Sequence, residues 1–179
     1  MFFGTTSKGM AIERSKRVIF VAHCILNQNA VSVGRERAPG PIRELLELFA
    51  EAGVGIVQMP CPQLEHNGGL NRKPKPKEKY DTKSYRAACR SQAKLLLQQI
   101  QTYLSKDYNV LGILGVETSP TCAVHQLING NRNVPGKGIF IEELENEMRA
   151  KNFQVPIIGV NLNNLFSTME KLQSLLKYS

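Results

Sequence analysis

Two kinds of hydrophobic pattern alternate along this chain. Four segments are apolar without polar alternation and are predicted to be strands: residues 17–24, 54–61, 108–117 and 155–161. Four others carry apolar residues at helical spacing and are predicted to be helices: residues 41–53, 82–107, 139–152 and 165–178. Apolar strands separated by helices are typical of a buried parallel sheet. The pattern predicts an α/β fold, a small doubly wound, Rossmann-like parallel sheet of about four strands with helices on both faces.

Length and composition favour one domain without a membrane partner. At 179 residues and 42% hydrophobic, the chain can bury a core of its own. Residues 1–16 carry no clear pattern and are predicted to be a poorly defined leader before a single α/β domain over 17–179. No apolar run approaches the ~18 residues of a membrane helix, and the run at 18–22 is too short for a signal peptide. We therefore expect a cytoplasmic protein in a reducing compartment, where structural disulfides are rare.

The formal net charge is +8, and much of it lies in residues 71–83, "NRKPKPKEKYDTK". A charge run that contains prolines and lacks interleaved aromatic residues is more typical of a solvated loop than of a nucleic-acid contact. The charge is compatible with an anionic partner and says nothing about the fold.

Three of the four cysteines follow predicted strands. Cys24 ends the first strand, Cys61 ends the second, and Cys122 lies just past the third. Because ligands of an open parallel sheet bind outside the carboxyl ends of its strands, we expect these cysteines to share one edge of the sheet. Cys89 lies within a predicted helix and is expected to be a small buried hydrophobe.

Three gathered cysteines allow four interpretations: buried strand ends, a zinc site completed by a histidine, a nucleophilic cysteine with a histidine base, or an iron–sulfur cluster. His23, His66 and His125 each lie near a cysteine, but the chain has no CxxC or HxxxH pair typical of structural zinc. Adjacent residues on a strand face opposite ways, so His23 is poorly placed as a base for Cys24. Soft thiolates suit iron–sulfur chemistry, and three protein ligands leave one iron open to substrate.

An ordered set of motifs, spread over roughly residues 17–160, resembles the thiouracil desulfurase family and related desulfidases. The motifs are "HCILNQN" at 23–29, "PCPQ" at 60–63, "GGLNRKP" at 68–74, "ETSPTC" at 117–122 and "VPGKGIFIEEL" at 134–144. Members of that family bind a 4Fe-4S cluster through three cysteines, which correspond here to Cys24, Cys61 and Cys122. The resemblance implies a desulfidase that removes sulfur from a small thiolated, thiouracil-like compound through this cluster.

One departure from the family motif affects the catalytic prediction. The family's Cys-Pro-Glu is Cys-Pro-Gln here, so the neutral amide of Gln63 replaces a carboxylate that could move protons. Glu65 and Glu117 are the nearby carboxylates that are candidates to replace it. Ser119 matches a family serine and is a third catalytic candidate, although the hydroxyl of a Ser-Pro turn often bonds the local backbone instead.

Side-chain amides supply the predicted substrate contacts. Asn27, Asn29 and Gln63 lie close to a cysteine in sequence and can both donate to and accept from a nucleobase edge. Local capping of the loop backbone is the alternative role for the two asparagines. A cluster-binding or sulfur-carrier protein without turnover, a zinc-binding protein, and a protein that binds thiolated RNA through residues 71–83 remain alternative functions at this stage.

Overall fold

A four-stranded parallel sheet with helices around it organises the chain, as the α/β prediction stated. The structure is a computed structural model, and it describes residues 13–177. The sheet contains β1 (Arg17–Val21), β2 (Gly55–Gln58), β3 (Asn109–Val116) and β6 (Ile157–Val160), and a separate hairpin contains β4 (Gln126–Asn129) and β5 (Arg132–Pro135). Most of the predicted leader, residues 1–16, lies outside the described residues.

Six α-helices lie in the described part of the chain: α1 (His23–Leu26), α2 (Arg43–Glu51), α3 (Pro62–His66), α4 (Lys83–Leu104), α5 (Ile139–Ala150) and α6 (Leu165–Lys177). Thr82 caps α4, because its hydroxyl accepts the N–H of Tyr85 at 3.2 Å. The four long helices and the four sheet strands all lie inside their predicted ranges. None of the described helices is long and apolar enough to cross a membrane.

The sheet order β2-β1-β3-β6, parallel throughout, places β1 and β3 at the centre. Residues 110–116 of β3 are all buried, and Ile19, Phe20 and Ile113 have no exposed surface. Both faces of the central strands are therefore covered, which explains why their sequences lack polar alternation. β2 lies on one side of β1, and β3 and β6 lie on the other. The order of the strands therefore changes direction between β1 and β3. Ligand sites of open α/β sheets lie at such a switch point.

Two local predictions differ from the structure. The first strand is predicted to run to Cys24, but β1 ends at Val21 and the cysteine lies in α1. The second is predicted to run to Cys61, but β2 ends at Gln58. Pro62 then begins α3, since proline has no N–H to donate to a sheet and its fixed φ suits the first turn of a helix. Each of these cysteines therefore stands at a short helical turn beyond a strand.

The turn-rich stretch at 127–138 also contains regular structure that the sequence pattern does not predict. β4 and β5 pair antiparallel, with Leu127 opposite Val134, through a tight turn at Gly130. Gly130 has a φ of 59°, which glycine adopts without steric cost. An isolated bridge between Thr118 and Leu127 connects this hairpin to the end of β3, beside the candidate site.

Candidate cysteine site

A pocket of about 330 Å³ opens at the carboxyl edge of the sheet, and three cysteines line it. Cys24 follows β1, Cys61 follows β2 and Cys122 follows β3, and these three strands are neighbours in the sheet. Cys89 lies in α4, is fully buried, and is not among the lining residues. Residues far apart in sequence thus meet because parallel strands bring their carboxyl ends together.

Buried Gln28 holds the Cys24 turn in place. Its Nε2 donates to the carbonyl oxygen of Cys24 at 2.5 Å, and its Oε1 accepts the N–H of Arg37 at 2.9 Å. Gln28 is only 1% exposed, so both bonds are shielded from water. Gln28 is not predicted to be a site residue, because a glutamine in a polar loop carries no signal of burial.

The two asparagines that flank Gln28 bond to each other. Oδ1 of Asn27 accepts from the backbone N–H of Asn29 at 3.1 Å and from its Nδ2 at 3.0 Å. Neither asparagine is among the residues that line the pocket. Their geometry is that of a local cap, the predicted alternative to substrate binding.

Ser119 holds the turn that carries Cys122. Its Oγ accepts the N–H of Thr121 at 3.3 Å and that of Cys122 at 3.1 Å. Ser119 also lines the pocket. Ser119 therefore fixes the third cysteine and also forms part of the pocket wall.

Two glycines allow the same turn to pass between β3 and the start of α5. A Cβ on Gly115 would lie 2.3 Å from the carbonyl oxygen of Cys122. A Cβ on Gly138 would lie 2.2 Å from the carbonyl carbon of Thr121. Because neither glycine has a positive φ, close approach of backbone is the reason that a larger residue does not fit.

Thr118 adds backbone strain at the end of β3. Its φ of 65° lies in the left-handed region, which is a rare conformation for a β-branched residue. Such a conformation costs on the order of 1–3 kcal/mol and persists when surrounding contacts over-determine it. Here the N–H of Thr118 donates to the carbonyl of Gln126 at 2.8 Å, which anchors the strained residue to the hairpin.

The two candidate carboxylates occupy different places. Glu117 lines the pocket and is 9% exposed, whereas Glu65 is not among the lining residues and its side chain is 52% exposed. One oxygen of Glu65 accepts from Nε2 of Gln92 on α4. The structure thus brings Glu117, but not Glu65, to the pocket.

Three hydrogen-bonding groups hold the Glu117 side chain in one position. Its Oε2 accepts the backbone N–H groups of His125 at 3.1 Å and of Gln126 at 3.0 Å. Its Oε1 lies 2.8 Å from Nδ1 of His125, whose side chain is 68% exposed. Gly159 leaves room for the carboxylate, since a Cβ there would lie 1.7 Å from Oε1. A buried carboxylate is thereby connected to a solvent-exposed imidazole.

A buried arginine stands behind Gln63. Nη2 of Arg72 donates to Oε1 of Gln63 at 2.9 Å, and Nη1 donates to the carbonyl of Gly69 at 2.9 Å. Burial raises the pKa of the Tyr80 hydroxyl, and the positive charge of Arg72 acts in the opposite direction. Arg72 is 9% exposed and Tyr80 2%, and both line the pocket. The segment at 71–83, predicted to be a solvated loop, therefore places two buried residues at the site.

The pocket carries a strong excess of positive charge. Among the described residues that line it, five are basic and one is acidic: Arg35, Arg37, Arg72, Lys75 and Lys77 against Glu117. Lys77 pairs with Glu142 of α5, and Arg86 of α4 pairs with both Glu142 and Asp81. These ion pairs connect the basic segment at 71–83 to α4 and α5. An anionic group is favoured in the pocket.

The histidines that a zinc site would need lie elsewhere. None of His23, His66 and His125 is among the lining residues. Within residues 13–177, no three side chains of His, Cys, Asp or Glu converge closely enough to hold a single metal ion. Among the described residues, the lining therefore offers a metal three thiols and no imidazole.

Burial suppresses ionisation of all three pocket thiols. It raises the pKa of Cys24 to about 12, with a smaller contribution in the same direction from the neighbouring Cys61. The pKa of Cys61 is likewise raised by burial, and that of Cys122 by burial and by the charges of Cys24 and Cys61. Arg72 acts in the opposite direction on each thiol. Three thiolates here therefore require a positively charged group among them.

In the metal-free protein, the rate at which iodoacetamide alkylates Cys24 is expected to rise about tenfold per pH unit up to about pH 10. Only the thiolate reacts, and a pKa of about 12 keeps the thiol form dominant throughout this range. Peptide mass spectrometry of samples quenched at each pH measures the rate at this residue. An unburied cysteine peptide is the control, and its rate levels off earlier. A plateau for Cys24 below about pH 9 would contradict the assigned burial effect.

The fold and the pocket together define a class, a parallel α/β protein with three cysteines at the carboxyl edge of its sheet. No family model matches the chain. The chain is 34% identical over 164 residues to the uncharacterized protein MJ0003 of Methanocaldococcus jannaschii, a match that covers 89% of this chain and 98% of that protein. It therefore belongs to the same family as that protein.

A solved structure shares the architecture. The chain is similar, with a TM-score of 0.53, to the 4Fe-4S-dependent thiouracil desulfidase TudS. The likeness covers 89% of this chain and 99% of the other, at 20% sequence identity. At this identity the similarity establishes a common fold, and the activity has to be argued from the site.

Proposed function

We propose that this protein is a desulfidase that removes sulfur from a small thiolated compound, using a 4Fe-4S cluster bound by Cys24, Cys61 and Cys122. The observation that carries the proposal is that these three cysteines line one pocket while Cys89 does not. The order of the motifs, and the fold in common with a thiouracil desulfidase, support it.

The donor set fits this cluster. Three soft sulfur donors suit iron–sulfur chemistry, and each thiolate of a 4Fe-4S cluster binds a different iron, so they need not converge on one point. The raised pKa values mean that cluster binding has to displace the thiol protons, a cost that the positive charge of the iron–sulfur core would offset. The basic lining suits a cluster whose net charge, with three thiolates, is negative. When bound, the cluster supplies an iron without a protein ligand, which acts as a Lewis acid towards the substrate's sulfur.

Glu117 is the proton acceptor in the proposed reaction. Replacing a thiocarbonyl sulfur by water's oxygen yields a carbonyl, hydrosulfide and a proton, with no electron transfer. Glu117 takes up the proton of the attacking water, since it is the carboxylate that lines the pocket. His125, 2.8 Å from Oε1 and largely exposed, then passes that proton to solvent.

Ser119 orients the substrate. Its Oγ accepts two backbone N–H groups and keeps its own hydrogen as a donor towards the pocket. The same two bonds keep Cys122 in register, so one side chain positions both a cluster ligand and the substrate. Catalysis by such fixed donors depends on geometry set before the substrate arrives.

Glu117→Gln is expected to lower hydrosulfide release by about 100-fold without loss of iron, because the amide cannot take up a proton. The amide can still accept the backbone N–H groups of His125 and Gln126, so the hairpin stays in place. The measurement is anaerobic hydrosulfide release from thiolated pyrimidines, together with iron and acid-labile sulfide per chain.

Glu65→Gln is the matched control, since it makes the same change outside the pocket and should leave release unaltered. Full release by Glu117→Gln, or an equal loss in Glu65→Gln, would remove Glu117 from the mechanism. Cluster-loaded wild type that releases no hydrosulfide from any thiolated pyrimidine would refute the desulfidase proposal. That result would support a cluster-binding or sulfur-carrier protein instead.

A further inference from the structure

Arg72 holds the side-chain amide of Gln63 in one orientation. A guanidinium has donors only, so the amide atom 2.9 Å from Nη2 must be the oxygen. A flipped amide would turn its nitrogen towards the N–H donors of Arg72. The hydrogen bond would then be lost, and a donor in this buried site would be left unsatisfied. The guanidinium cannot turn away easily, because its Nη1 also donates to the carbonyl of Gly69 at 2.9 Å.

The amide nitrogen of Gln63 is therefore left for the pocket. Nε2 makes no hydrogen bond to any residue between 13 and 177, and it is not among the buried unpaired side-chain atoms of that part of the chain. It retains contact with accessible space, and Gln63 lines the pocket together with Cys61. A glutamate at this position would place one oxygen on Arg72 and present an acceptor at the same point.

We propose that Gln63 determines substrate specificity in this chain by presenting a hydrogen-bond donor beside the cysteines. The chain then selects thiolated heterocycles in which a ring nitrogen without hydrogen lies next to the thiocarbonyl carbon. A ring with N–H on both sides of that carbon sets donor against donor and is rejected. The inference rests on the proposed function, because it assumes that a thiolated ring occupies this pocket.

Two compounds form a matched pair for the test. Both 2-thiocytosine and 2-thiouracil carry sulfur at C2 and N–H at N1, but N3 has no hydrogen in the amino tautomer of 2-thiocytosine and carries one in 2-thiouracil. Cluster-loaded wild type is expected to show a kcat/KM about tenfold higher for 2-thiocytosine. Gln63→Glu is expected to reverse the preference, and Gln63→Met, which neither donates nor accepts, to abolish it.

Cytosine and uracil provide a readout that does not depend on turnover. They present the same two ring edges with oxygen in place of sulfur, and equilibrium dialysis gives their dissociation constants for the wild type and both Gln63 variants. The wild type should bind cytosine more tightly and Gln63→Glu should bind uracil more tightly. Circular dichroism and iron content identify a variant that has lost its fold or its cluster. If one of the two Gln63 variants is lost in this way, the other is compared with the wild type.

The outcomes separate the two proposals. Hydrosulfide release with the same preference in wild type and Gln63→Glu, or with no preference, overturns the role of Gln63 and leaves the desulfidase standing. No release, combined with a reversed preference between cytosine and uracil, overturns the desulfidase and supports the donor role. Neither release nor ring binding by iron-loaded protein overturns both.

Discussion

Replacing Cys24, Cys61 or Cys122 singly by alanine is expected to reduce bound iron from roughly four atoms per chain to near zero after anaerobic reconstitution. Each cysteine lies beyond a different strand of the sheet, and all three line one pocket. Loss of one thiolate leaves two ligands in a buried site, too few to retain the cluster against chelators. Iron and sulfide analysis with visible absorption measures the loss, and hydrosulfide release should disappear with it.

Cys89→Ala is the matched control for these variants. Cys89 lies in α4 with no exposed surface, and it is not among the lining residues. Its removal leaves a small cavity that should cost about 1–2 kcal/mol of folding free energy and leave iron unchanged. If Cys89→Ala releases the iron, or if any pocket variant keeps its full content, the assigned ligand set is wrong.

The second large effect is expected from Gly138→Ala, at a residue that neither binds metal nor touches substrate. The added Cβ would lie 2.2 Å from the carbonyl carbon of Thr121 and 2.6 Å from the backbone nitrogen of Cys122. These are backbone atoms, so no side-chain rotation relieves the contact. We expect a loss of about 3 kcal/mol in the free energy of unfolding, and displacement of the Cys122 turn.

Gly40→Ala adds the same methyl group where nothing lies within 4 Å, and serves as the control. Gly40 has no positive φ, so the substitution is not strained there. Urea unfolding of the metal-free variants measures the change in the free energy of unfolding. Iron content after reconstitution measures how much the displaced Cys122 turn weakens cluster binding. A Gly138→Ala protein that matches Gly40→Ala in both stability and iron would contradict the role given to the close approach.

Hydrophobic patterning determined the architecture of this protein. Buried parallel strands and amphipathic helices have different periodicities, so eight elements are predicted within ranges that contain the observed ones. The same reasoning brings three cysteines to one edge, because parallel strands share the direction of their carboxyl ends. The short turns α1 and α3 and the hairpin β4–β5 are not predicted, because α1 and α3 are shorter than two helical turns and the hairpin lies in a polar stretch rich in turn residues.

Only the tertiary structure decides which side-chain groups are held by other residues and which are left to contact a ligand in the pocket. Glu65 and Glu117 are indistinguishable as carboxylates near a cysteine in the sequence, yet only Glu117 lines the pocket. In the sequence, Gln63 is only a neutral replacement for a carboxylate. The structure adds that Nη2 of Arg72 donates to its Oε1 at 2.9 Å. Arg72 lies in a basic run whose composition predicts a solvated loop, and nothing local indicates that one of its cations is buried.

The sequence by itself therefore determined the sheet, its helices and the edge at which the cysteines meet. Those features depend on periodicity and on strand direction, which are properties of short segments. The tertiary structure alone decided which atoms face the pocket, how Gln63 is oriented and why Gly115 and Gly138 have no side chains. Those features depend on contacts between residues distant in the chain, and packing in three dimensions, not local pattern, determines such contacts.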